Sequence, residues 1–204
     1  AQQEYGCPNC VEKTCEGDYI ITENAPAELA NCSLIKGNLT ISAEELECPD
    51  DGFCFQPIII LENLYAVEGD VSIVPRVDTS TGSYVVQDAL SYIEIPNLRR
   101  IDGDLLIKPT TNWISSTIQA TLDNEYLGIV RLQSLLSVGG SVQCMSNLEL
   151  SEFNIPSLTN VGGNLAIVGN PKLCANASGL GQDYANISAS TDPVISNNKS
   201  TGCD

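Results

Sequence analysis

One short phrase, written five times, constrains this chain more than any other feature. It reads Ile35-Lys-Gly-Asn-Leu-Thr-Ile-Ser42, then Val67-Glu-Gly-Asp-Val-Ser-Ile-Val74, then Ile101-Asp-Gly-Asp-Leu-Leu-Ile-Lys108. Two further copies are Val138-Gly-Gly-Ser-Val-Gln-Cys-Met145 and Val161-Gly-Gly-Asn-Leu-Ala-Ile-Val168. Their third-position glycines, Gly37, Gly69, Gly103, Gly140 and Gly163, are separated by 32, 34, 37 and 23 residues. A constant phrase at uneven intervals describes a fixed rung joined by loops of variable length.

Each copy reads mechanically as a turn followed by a short strand. A β-branched residue enters, Gly and Asn or Asp accept a backbone conformation that other residues resist, and alternation begins. Two positions per strand are apolar and point inward: Leu39 and Ile41, Val71 and Ile73, Leu105 and Ile107, Val142 and Cys144, Leu165 and Ile167. Leu64, Leu98, Leu135 and Leu158 stand three residues ahead of four copies and supply a second buried edge. One rung cannot bury its apolar side alone, whereas stacked rungs share a continuous core. The expected class is therefore all-β dominated, a parallel β-solenoid of about five to six coils with short helical or loop excursions. An antiparallel sandwich would need hairpin signals at much shorter, regular spacing. The stretches 75–90 and 109–128 are expected excursions, the second with a helix around 116–126, and 175–204 is expected to cap the last coil.

Composition removes several functions. There is no histidine, the usual general base and metal ligand, so an enzyme here would have to work with carboxylates. Nine basic against 26 acidic residues give a net charge of −17, which repels a phosphate backbone and an anionic membrane surface. No apolar run is long enough to span a bilayer, and the start at Ala1-Gln2-Gln3 lacks a leader's basic and apolar segments, as expected of a processed chain. Nine cysteines accompany five sequons at Asn31, Asn38, Asn176, Asn186 and Asn198, a combination that points to an extracellular, secreted or cell-surface, N-glycosylated protein.

The stretch Asn31-Cys32-Ser-Leu-Ile35-Lys-Gly-Asn-Leu-Thr-Ile41 resembles the opening of the receptor L domain, the leucine-rich-like right-handed β-helix of insulin-receptor and EGF-receptor ectodomains. Asn170-Pro-Lys-Leu-Cys174 resembles that family's closing phrase, and related repeats occur in fungal cell-wall proteins. The likeness runs from about Cys15 to Cys203. It implies a right-handed coil, one solenoid domain over 15–204 behind a cysteine-containing extension at 1–14, and end disulfides Cys15–Cys32 and Cys174–Cys203. Cys48 and Cys54 bracket a loop short enough to pair locally. Cys7 and Cys10 form either a small local disulfide or links to another chain, and Cys144 is expected as a buried free thiol.

Three sets of residues are candidates for chemistry. Asp50-Asp51, Glu68 with Asp70, and Asp102 with Asp104 invite carboxylate catalysis or calcium binding, yet a turn position that reads Asn38, Asp70, Asp104, Ser141 and Asn164 is explained by the turn itself. The double glycines lack the Lys-Ser/Thr of a phosphate loop. The outward strand positions are more telling: Val74, Leu106, Met145 and Val168 are apolar where a solvated face would be polar, which points to a protein contact. The reading is a non-enzymatic extracellular glycoprotein module without cofactor. It contacts a protein partner or copies of itself through this face, as a wall or filament building block or as a ligand-binding domain for a growth-factor-like protein. A carbohydrate-active β-helix enzyme is the rival.

Overall fold

The computed structural model describes residues 13–22, 27–42, 58–74, 92–107, 127–176, 180 and 182–203. Its strands are two to four residues long and follow the phrase. β1 (Thr14–Glu16) and β2 (Tyr19–Ile21) open the first coil, β3 (Leu34–Lys36) and β4 (Leu39–Ile41) the second. Three strands serve each coil thereafter: β5 (Ile58–Ile60), β6 (Ala66–Val67) and β7 (Val71–Ile73), then β8 (Tyr92–Glu94), β9 (Arg100–Ile101) and β10 (Leu105–Ile107). The fifth coil holds β11 (Ile129–Arg131), β12 (Ser137–Val138) and β13 (Val142–Met145), the sixth β14 (Glu152–Asn154), β15 (Asn160–Val161) and β16 (Leu165–Val168). β17 (Val194–Ser196) ends the stack.

Equivalent strands of successive coils pair in parallel and make three sheets. Sheet A runs β1-β3-β6-β9-β12-β15, sheet B runs β17-β16-β13-β10-β7-β4-β2, and sheet C runs β14-β11-β8-β5. Register is exact across the phrase, as in Leu105 opposite Val71 on one side and Val142 on the other. The fold is thus the expected β-solenoid. Two strands of sheet B lie beyond the five phrases. Cys15-Glu-Gly-Asp-Tyr-Ile-Ile21 is a sixth copy whose cysteine takes the β-branched place, and β17 adds an incomplete seventh turn.

The core is the set of inward columns. Ile41, Ile73, Ile107, Cys144 and Ile167 stack on sheet B, Ile35, Val67, Ile101, Val138 and Val161 on sheet A, and Ile59, Ile93, Val130 and Phe153 on sheet C, all buried. The turn leucines Leu64, Leu98, Leu135 and Leu158 close the corner between sheets C and A and are buried too. Each such aliphatic contributes ~1.5–3 kcal/mol when removed from water. Helical turns among the described residues are short, Leu29–Asn31 and Tyr184–Asn186. The expected excursions at 75–90 and 109–128 fall largely outside the described residues.

Stacking explains the glycine of the phrase better than backbone angle does. Gly37, Gly69, Gly103, Gly140 and Gly163 are not among the positive-φ residues, so the expected special conformation is not what selects them. A Cβ on Gly103 would stand 2.8 Å from the Gly69 carbonyl oxygen and would overlap Oδ1 of Asp70, one coil earlier. Gly69 is hemmed in the same way by Gly37 and Asn38, and Gly140 by Gly103 and Asp104. The space each glycine leaves is filled by a side-chain oxygen that accepts the next backbone N–H. Asp18 Oδ1 accepts from Asn38 N (2.7 Å), Asn38 Oδ1 from Asp70 N (2.8 Å), Asp70 Oδ1 from Asp104 N (2.8 Å), Asp104 Oδ1 from Ser141 N (2.6 Å) and Ser141 Oγ from Asn164 N (3.1 Å). Glycine and the following Asn, Asp or Ser are one device.

Gly103→Ala is therefore expected to destabilise the protein by about 2 kcal/mol or more, because two backbones must separate to admit a methyl group. Asp102→Ala beside it, on an exposed ion pair with Arg100, should change stability by less than ~0.5 kcal/mol. Denaturant melts of the two variants check this.

Candidate protein-contact surface

The three outer faces differ in charge. On sheet A, Glu16 pairs with Lys36 and Arg100 with Asp102, each at 3.2 Å. On sheet C, Arg131 grips Glu152 through two hydrogen bonds of 2.7 and 3.0 Å and donates a third to the Tyr92 hydroxyl at 3.0 Å, while that hydroxyl donates to Glu94 at 2.7 Å. The bond to Glu94 holds the phenolic proton and raises the Tyr92 pKa, and the carboxylate of Glu152 raises that of Arg131 further above its usual range. The strands themselves assemble this cluster: parallel register sets Ile129 between Tyr92 and Glu152, and Arg131 between Glu94 and Asn154. Sequence reading missed it because the residues come from three strands far apart in the chain and belong to no copy of the phrase.

Sheet B is the exception. Its first outward column is Ile20, Thr40, Ser72, Leu106, Gln143, Ala166 and Val194, set by strand register. The residues just beyond are Ser42, Val74, Met145, Val168 and Ser196. Not one of these described side chains carries a charge, on a chain with 26 acidic residues. Lys108, which continues the second column in sequence, lies outside the described residues.

The four residues expected to line a contact do share this face. Leu106 sits between Ser72 and Gln143, Met145 is registered against Val168, and Val74 extends the β7 strand two coils earlier. All four are half-buried. The face is longer than the phrases indicated, since Ile20 (63% exposed) and Val194 (54% exposed) continue it at the two terminal strands. The sixth copy of the phrase would have revealed Ile20. Val194 follows no phrase and left no signal.

Several of the remaining candidates have structural partners. Cys15–Cys32 and Cys174–Cys203 are disulfides, with Cα atoms 5.9 and 5.5 Å apart. Cys7, Cys10, Cys48 and Cys54 lie outside the described residues, as do Asp50 and Asp51. Cys144 is a buried free thiol whose pKa is pushed up by burial. Of the acidic candidates, Asp70 and Asp104 use Oδ1 in the turn ladder, and Asp102 is paired with Arg100. Among the described residues no three acidic or cysteine side chains gather as a metal site would require.

A second ladder is buried. Asn147 Nδ2 donates to the Ile107 carbonyl at 3.1 Å and to Asn170 Oδ1 at 2.8 Å, and Asn170 Nδ2 to the Cys144 carbonyl and Asn198 Oδ1, both at 3.0 Å. These asparagines close the corner that follows sheet B, where buried amides must find partners. The sequons stand in varied settings: Asn31, Asn38, Asn176 and Asn186 are exposed, and Asn198 is half-buried.

Fold and surface together define a disulfide-closed parallel β-solenoid with one sheet whose described outer residues carry no charge. The chain belongs to the receptor L domain family, whose model matches residues 31–184. That family comprises non-catalytic binding modules of extracellular and cell-surface proteins. No curated protein matches the chain. The match leaves out the first coil and β17, which the structure adds at either end. Among the described residues no helix is long and apolar enough to cross a membrane.

The ladder reading of the acidic residues has a direct check. Asp104→Asn keeps the acceptor for Ser141 N and relieves the repulsion from Asp70, so its stability should equal or exceed the parent's. Asp104→Ala leaves that N–H without its partner and should cost ~1–2 kcal/mol. Thermal melts of both variants decide between a structural and a site role.

Proposed function

We propose that this chain is a non-enzymatic extracellular glycoprotein module that binds a protein partner on the outer face of sheet B. The observation that carries the reading is the absence of charge among that face's described residues, while sheets A and C carry paired charges on theirs. Ions are costly to desolvate, so the buried core of a contact is depleted of charged residues and more apolar than the rest of a surface. Leu106, Met145 and Val168 lie on adjacent strands and form its apolar centre, with Val74 toward the earlier coils. The exposed sequons at Asn31, Asn38, Asn176 and Asn186 support a glycosylated surface.

Association with copies of the same chain, as in a wall or filament, is favoured over capture of a soluble growth-factor-like ligand by one feature. Ile20 and Val194 are the exposed apolar members of the outer column on β2 and β17, the two terminal strands of sheet B. An end-to-end neighbour would continue that column across the junction.

Leu106→Glu and Met145→Glu test the face. Each is expected to weaken self-association in sedimentation, or capture of a cross-linked partner from the source surface, at least severalfold, in line with ~1–4 kcal/mol for a contact residue. Ser137→Glu on sheet A serves as control and should leave binding unchanged. Unaltered association of both sheet B variants, with normal secretion and melting temperature, would remove this face.

A further inference from the structure

The last rung of the buried asparagine ladder falls on a sequon. Asn147, Asn170 and Asn198 occupy the same corner in successive turns, but Asn147-Leu-Glu and Asn170-Pro-Lys are not glycosylation acceptors, whereas Asn198-Lys-Ser200 is. Asn198 is tied to the sixth coil by both ends of its amide. Its Oδ1 accepts from Asn170 N at 3.1 Å and Asn170 Nδ2 at 3.0 Å, and its Nδ2 donates to the Ile167 carbonyl at 2.7 Å. Asn38 begins another sequon, Asn38-Leu-Thr40, and its amide lies differently. Its Oδ1 accepts from Asp70 of the following coil at 2.8 Å, while its Nδ2 donates backward to Asp18 Oδ1 at 3.0 Å.

From this contrast we infer that the folded protein carries an N-glycan on Asn38 and none on Asn198. In N-glycosylation the sugar C1 leaves its lipid-linked diphosphate carrier and bonds to Nδ2, which gives up one of its two protons. The product is a secondary amide, planar and trans like a peptide bond, so the sugar takes the position beside Oδ1 and the surviving N–H points the other way. In Asn198, Oδ1 and the donating N–H face the same coil, so the position beside Oδ1 is the one bonded to Ile167. A glycan there would displace the closing rung of the ladder. In Asn38 the two atoms face opposite coils, so the N–H in use is the one that survives. Its other N–H sits on an exposed residue and is free to be replaced. The sequon rule treats the two sites alike, and the hydrogen bonds separate them. As a consequence, the corner beside β17 and Val194 carries no sugar on Asn198, which leaves that end of sheet B open.

The test is to secrete the full chain from a eukaryotic cell and release its glycans with the amidase that converts each glycosylated Asn to Asp in heavy-oxygen water. Peptide masses should then show Asn38 converted and Asn198 intact. Ser200→Ala abolishes the Asn198 sequon without touching the ladder, and should leave glycoprotein mass and melting temperature unchanged. Thr40→Ala should remove the mass of one glycan. Asn198→Ala should lower the melting temperature with no loss of glycan. Conversion of Asn198 in the secreted protein, or loss of one glycan in Ser200→Ala, would overturn the assignment of Asn198. An unconverted Asn38 would overturn that of Asn38.

Discussion

Each turn of this solenoid lends an oxygen to the next. The side chain that follows the phrase glycine reaches over one coil spacing and accepts the backbone N–H of its successor, and the glycine of that successor leaves the room for it. Parallel strands of two to four residues pair weakly on their own. The ladder fixes their register at the turn, where a slip of one residue would turn every inward isoleucine outward. The core columns, the outer face and the corner that holds the asparagines all inherit their alignment from that turn.

The ladder also gives the acidic turn residues a structural place. Asp18, Asp70 and Asp104 share a column, but Asn38 stands between the first two, leaving Asp70 and Asp104 as its adjacent carboxylates. Two charges one strand spacing apart in water repel by only ~1 kcal/mol. Each meanwhile accepts a hydrogen bond from a backbone amide. A high negative charge is thus compatible with a stable stack, and the described outer residues of sheet B stand out as uncharged on an acidic molecule.

Much of the fold was legible because the rung is written almost literally in the chain. Alternation at Leu105, Leu106 and Ile107 gave the inward and outward assignment, and the turn leucines gave the second buried edge. The first coil was harder to read because Cys15 stands where the other copies carry valine or isoleucine. The role of the glycines was misjudged for a physical reason: a local reading offers only φ as a cause, whereas the constraint is the neighbouring coil. The Tyr92, Glu94, Arg131 and Glu152 cluster was invisible, since no local pattern shows which distant strands become neighbours. For the same reason Asn198 read as an ordinary sequon until its partners were known.

Amide hydrogen exchange tests the central claim most directly. If the turn ladder holds the stack in register, the backbone amides of Asp70, Asp104 and Ser141 should exchange as slowly as those of Val71, Leu105 and Val142 in the adjoining strands, although they sit in turns at the surface. Exchange of those three turn amides at the rate of open surface loops, while the strand amides stay protected, would contradict it.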